Sequence, residues 1–232
     1  MHLGLHGINF FPEETNRGLF TILPITLELR RRGFITLSFV KVIIKSIKFI
    51  MVSFKDFPEF KPNLTPKQVL RMGSFGGTYF RDIKSSVTGK KHSGKSAIKS
   101  FPKDWLQGVN LEKKVLSQDY DKNVNTYKVK CGSSLEAWET SNWIVAKDPY
   151  GWFQWYCHFY MGRRTKDDKR QIDRWLKLTG PKGRFKRTLM NKIIKEGKDY
   201  NDKSVSPVIR QVLQHWGYKL SKRDFEKYKK SK

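Results

Sequence analysis

The chain has 232 residues, of which 38% are hydrophobic and 14% aromatic: enough for one domain with a buried core, and too apolar for a disordered basic tail. Its 47 Lys+Arg stand against 21 Asp+Glu, a net charge of +26 that repels itself in any compact state and calls for a polyanionic partner, nucleic acid being the commonest. Cys131 and Cys157 could pair, but two cysteines exclude a disulfide framework or a Cys-based zinc site, so a reducing intracellular compartment is expected.

The charge is uneven. Residues 111–160 balance six cations with six acids, whereas residues 161–232 hold 23 cations against 8 acids, more than half of the whole excess.

Residues 1–51 read as an extension outside the fold. Lys41, Lys45 and Lys48 would share one face of a helix over Phe34–Ile50, which is too charged for a membrane span and suits an interfacial amphipathic helix. Glu13, Glu14 and Glu28 argue against a transit peptide. Met51 opens a segment with the marks of a domain start.

In the domain, Thr65-Pro66-Lys67-Gln68 predicts a capping box with proline at the first helical position, and Gly73 ends that helix. The stretch from Gly73 to Ile83 packs three glycines against Arg81 and Asp82 between apolar residues. A pair that pins a loop is the plain expectation, and in an active site Asp82 is the first candidate carboxylate. Gly89-Lys90-Lys91-His92-Ser93-Gly94-Lys95-Ser96 matches the phosphate-cradling pattern GxxxxGK[ST]. It lacks the buried strand before it and the long helix after it, so a flexible basic loop is expected instead, one still able to touch phosphate. The best strand pattern is the short Thr126–Val129. Ser133 with Glu136 opens a second helix.

Asp148-Pro149 opens a third helix, through the aromatic run Trp152 to Tyr160. Rings on every side of a helix predict burial, with His158 as a core imidazole. Thr165 and Asp168 open a fourth, which places Arg170 and Arg174 on one face near Arg163 and Arg164. That face is either a solvated salt-bridged surface or a phosphate-binding one. Asp167 and Asp168 are adjacent on the helix and diverge, which disfavours a shared metal ion.

Gly180 to Arg187 is a glycine-punctuated basic turn into a helix, offering Lys182, Arg184, Lys186 and Arg187 to phosphate. Ser206-Pro207 opens a helix with an apolar stripe over Val208, Ile209, Val212, Leu213 and Trp216. Its other side, Arg210, Gln211 and Gln214, could read base edges. Ser221 with Asp224 starts a last basic helix bearing Lys222 and Arg223.

The phrases Phe75-Gly76-Gly77 through Asp82, Gly151 through Arg164, Asp167 to Ile172 and Arg210 to Trp216 resemble an uncharacterised family of small basic proteins. The resemblance covers about residues 55–220 and implies a boundary that leaves out residues 1–51; it implies no activity.

The expected fold is mainly α, a compact domain over residues 52–232 of about six short helices joined by long basic and Gly-rich loops. The expected function is nucleic-acid binding through the Arg and Lys residues named from Arg163 to Arg223. Two alternatives stay open: a nuclease or base-removing enzyme using Asp82 with Asp167 or Asp168, and a structural component of a nucleoprotein particle. No cofactor, metal or integral membrane span is expected, and the choice between DNA and RNA stays open.

Overall fold

The computed structural model describes residues 54–232, so the expected N-terminal extension and its lysine-faced helix lie outside the described residues. The domain is mainly helical. In chain order it contains α1 (Pro66–Met72), β1 (Ile83–Lys84), β2 (Lys91–His92), α2 (Gly94–Ile98), α3 (Lys103–Leu106), α4 (Leu111–Lys114) and α5 (Leu135–Thr140). The longer elements follow: α6 (Trp152–Tyr160), α7 (Asp168–Thr179), α8 (Arg184–Lys195), α9 (Pro207–His215) and α10 (Lys222–Lys229). Among the described residues no helix is long and apolar enough to cross a membrane.

Several helix starts follow the local chemistry of the sequence. Thr65 and Gln68 form the reciprocal capping box of α1, with Pro66 at its first position. Ser221 accepts the Asp224 amide at the start of α10, and Ser134, one residue beyond the expected Ser133, caps α5. Gly73 ends α1 with φ 93°, where a Cβ would meet the Val124 carbonyl at 2.0 Å.

α6 departs from expectation at its start. Asp148 does not cap it; the Tyr79 hydroxyl, from far along the chain, accepts the amides of Phe153 and Gln154 at 2.9 and 3.1 Å while donating to the Tyr150 carbonyl. A side chain remote in sequence thus satisfies two of the orphan donors of this helix.

α6 is the centre of the core. Trp155, Tyr156, Cys157 and Phe159 are fully buried in it, and Phe60 sets its ring against Trp155, Tyr156, Phe159 and Trp175 of α7 at 5.1–5.7 Å. Tilted and edge-on ring pairs at this spacing add to the gain from burial alone.

Two local expectations are corrected. Thr126–Val129 forms no strand: the Asn125 side chain turns inward to bond Gly76 and Val129, and Lys128 adopts φ 56°, which ends any extended run. The strands are instead β1, ahead of the P-loop-like segment, and β2, inside it, with Ile83 opposite His92 and Lys84 opposite Lys91, antiparallel. The Gly94 amide, which would face phosphate in a true P-loop, donates to Asp82 at 2.8 Å. A Cβ on Gly94 would meet the Phe80 carbonyl at 1.7 Å, so close packing alone accounts for that glycine.

Candidate nucleic-acid interface

The cations expected to meet phosphate divide into two groups. In the first, the protein uses the charge itself. Arg163 places Nη2 2.5 Å from the buried Asp148 carboxylate, which also holds Nδ1 of His158 at 3.2 Å. His158 is therefore a half-buried imidazole fixed by a carboxylate, at the edge of the core. Arg164 binds Asp56 through Nε and Nη2 and places its guanidinium carbon over the Phe159 ring, 3.8 Å from its centre. Arg170 grips Asp167 with Nε and Nη2.

Lys186 is buried on α8, 2.7 Å from Asp224 and over the Tyr218 ring. Burial pushes the Asp224 carboxyl up, but hydrogen bonds from Lys186 and Tyr218 outweigh it and leave that carboxyl below its usual value. Arg210 is also buried, donating Nε to the Val205 carbonyl and Nη2 to the Tyr200 carbonyl, each at 2.9 Å.

Of these five residues Lys186 and Arg210 are buried, and are corrected from surface contacts to internal ones; Arg163 and Arg170 are part-buried and Arg164 is exposed, each tied to a carboxylate. A buried cation needs acceptors, and Lys186 and Arg210 find theirs inside the molecule. Arg174 stands apart. It is half-buried between the rings of Trp143 and Trp216, with Gln171 Oε1 at 3.0 Å as its nearest acceptor. Burial and the neighbouring Arg170 charge pull it down to about 10, so it stays a cation at neutral pH.

The second group faces solvent. Lys182, Arg184 and Arg187 are exposed and line an open depression of about 200 Å³ with Thr188 and Asn191. α10 lies beside α8, joined to it by Lys186–Asp224 and by the Tyr228 hydroxyl on Asn191. It exposes Lys222 and Arg223, the latter no nearer than 3.9 Å to Asp224. α8 has no acid in its first turn and no side-chain cap, so its N-terminal amides and dipole reinforce the positive potential there. The exposed sides of these two helices make one basic surface.

The candidate catalytic carboxylates are all in structural use. Asp82 is exposed, not part-buried as its flanks suggested, and it pins the start of α2 through the Gly94 amide. Asp168 is buried and accepts from Trp155 Nε1, the Thr165 amide and Thr165 Oγ1, each at 2.8 Å. Asp167 serves Arg170 and Gln171. Among the described residues no three His, Cys, Asp or Glu side chains are grouped to hold a metal ion.

α9 is the largest correction. Arg210, Gln211 and Gln214, expected on its polar outer side, are buried, while Val208 of the expected apolar stripe is 46% exposed. Gln214 Nε2 donates to the Gly73 carbonyl at 2.9 Å and to Ser74 Oγ at 2.8 Å. Gln211 Oε1 accepts the Tyr127 amide at 3.0 Å. The glycine-rich turn after α1 leaves backbone groups inside the molecule, and α9 turns its amides inward to meet them. Comparison with protein-family models, curated proteins and solved structures gives no match in any of the three.

Proposed function

We propose that this domain binds nucleic acid, meeting phosphates through the exposed faces of α8 and α10 and the turn between Gly180 and Arg184. One observation carries this reading. Carboxylates take Arg163, Arg164, Arg170 and Lys186, whereas Arg184, Arg187, Lys192 and Lys195 of α8 and Lys222, Arg223, Lys227 and Lys229 of α10 are exposed on two adjoining helices whose one exposed acid is Glu226. Such a surface costs self-repulsion when free and is relieved when phosphates displace its counterions. An α-helical face with flexible Lys and Arg heads suits a backbone contact that is largely indifferent to sequence.

Salt dependence is the test. Affinity for a mixed-sequence DNA or RNA should fall about 10²–10⁵-fold between roughly 50 and 200 mM salt, with a slope near −0.7 to −0.9 per phosphate neutralised. An affinity that does not change over this range would end the reading. Strong binding to acidic protein with none to nucleic acid would end it as well.

A further inference from the structure

We infer that Trp143 is a stacking platform for an unpaired base, so that the nucleic acid held by this domain is engaged in part as a single strand; this rests on the nucleic-acid reading above.

Four groups form a column from the core to the surface. Trp152, buried in α6, lies 4.5 Å from Trp216, ring centre to ring centre. The Arg174 guanidinium sits over Trp216 at 5.4 Å and over Trp143 at 5.0 Å. Trp143 is 42% exposed. One side of its ring is therefore backed by a cation, and part of the ring is open to solvent.

The backbone holds this indole in place. Asn142 takes a left-handed φ of 56°, its amide donates to the Glu139 carbonyl, and the Trp143 amide donates to the Trp138 carbonyl at 2.9 Å. This is the double closure that ends α5 and fixes the backbone that carries the ring. On the far side, Asp148 donates its amide back to the Val145 carbonyl, closing the loop again. A ring presented on a rigid turn loses little conformational entropy when something stacks on it.

The electrostatics say what stacks there. Arg170 has Asp167 as its partner, but Arg174 has no carboxylate in contact among the described residues, only two neutral oxygens, Gln171 Oε1 at 3.0 Å and the Trp143 carbonyl at 3.5 Å. Two more exposed cations, Lys147 and Lys166, line an open depression of about 420 Å³ with Thr165, Asp167, the Arg163-paired Asp148 and Val145, two residues along the chain from Trp143. An exposed ring bordered by cations matches a base with its flanking phosphates, the arrangement by which single strands are held without regard to sequence. An aromatic side chain of a partner protein would use the ring but not the cations.

The test uses the whole chain and three probes: a labelled oligothymidylate of about 12 nucleotides, an abasic strand of the same length, and a duplex. Wild type should bind the base-bearing strand about 5- to 150-fold more tightly than the abasic one. Binding should quench part of the tryptophan fluorescence. Trp143→Ala should remove both the preference and that part of the quench, and Trp143→Phe should keep most of the preference. Trp143→Leu, which retains an apolar side chain without a π-face, should behave as Trp143→Ala and guards against a folding defect. Equal affinity of wild type for the base-bearing and abasic strands overturns the stacking site and leaves phosphate binding intact. So does a preference that survives in both Trp143→Ala and Trp143→Leu. If no probe binds even at low salt, the nucleic-acid reading itself falls and takes this inference with it.

Discussion

At His215 the backbone decides which nitrogen carries the proton. The Phe75 amide donates to Nε2 at 2.9 Å, and Gln211 Nε2 stands 3.1 Å from the same atom. Gln211 cannot be turned around, because its oxygen already accepts the Tyr127 amide. Nε2 is therefore the acceptor, and Nδ1 carries the proton toward Cys131 Sγ at 3.7 Å. An imidazolium would need a proton on Nε2, pointed at two donors. This Cys–His pair is thus fixed in its neutral form, with burial pushing the Cys131 thiol up to about 12 and the imidazole down to about 3. The consequence is a pH-dependent stability. Above the ordinary histidine value, 6.5, folded and unfolded chains both hold His215 neutral. Below it only the unfolded chain gains the proton, so stability falls by about 1.4 kcal/mol per pH unit down toward the folded value. His215→Gln keeps an acceptor for the Phe75 amide and has no proton to gain. Denaturant melts across pH 4–7 should show a shallower slope for it than for wild type; parallel slopes would refute the fixed neutral tautomer.

At the level of elements, the start of α1 was legible because its cap is local: Thr65, Pro66 and Gln68 are neighbours in sequence. α9 was not legible, because the groups that set its orientation lie more than eighty residues away. Its amphipathic pattern favoured burying Val208 and exposing Gln211, yet the carbonyl of Gly73 and the amide of Tyr127 need partners inside the molecule. An unsatisfied buried backbone group costs about 1–3 kcal/mol, which can outweigh leaving half of a valine in water. These groups belong to a wider polar interior. Asn125, Gln171, Gln211 and Gln214 are buried in it, with the Tyr79 hydroxyl and the Asp168 carboxylate satisfying helix ends and an indole. Two substitutions invert the expectation from pattern. Gln211→Leu, which improves apolarity, should destabilise by at least about 1–3 kcal/mol, because the Tyr127 amide is orphaned. Val208→Glu, which breaks the stripe, should change stability by no more than about 0.5 kcal/mol, since it lies exposed in the first turn of α9 where an acid suits the helix dipole. Chemical denaturation of the two variants would reverse this order if α9 faced the other way.

Over the molecule as a whole, the charge excess was plain from composition, but its division into internal and external cations was not. Arg163 and Arg187 read alike in sequence, each in a basic run beside an aromatic segment. What separates them is Asp148, 15 residues before Arg163 and buried against it, whereas Arg187 stands exposed without a carboxylate partner among the described residues. The two should respond in opposite ways when neutralised. A Lys182→Gln, Arg184→Gln, Arg187→Gln triple variant removes charges that touch no acid among the described residues, so its folding stability should change little. Its affinity for nucleic acid should drop across sequences, and the magnitude of its salt slope should shrink by about 2–3, one unit or slightly less per lost phosphate contact. Arg163→Gln should do the reverse. It leaves the Asp148 carboxylate buried beside His158 alone and should cost about 3–5 kcal/mol of stability, while the salt slope of the folded fraction stays at the wild-type value. Measuring melts and salt-dependent binding on the same two preparations separates the roles. If Arg163→Gln flattened the salt slope as much as the triple variant does, the internal cations would be meeting phosphate too, and the interface would have to be moved from α8 and α10 toward the start of α7.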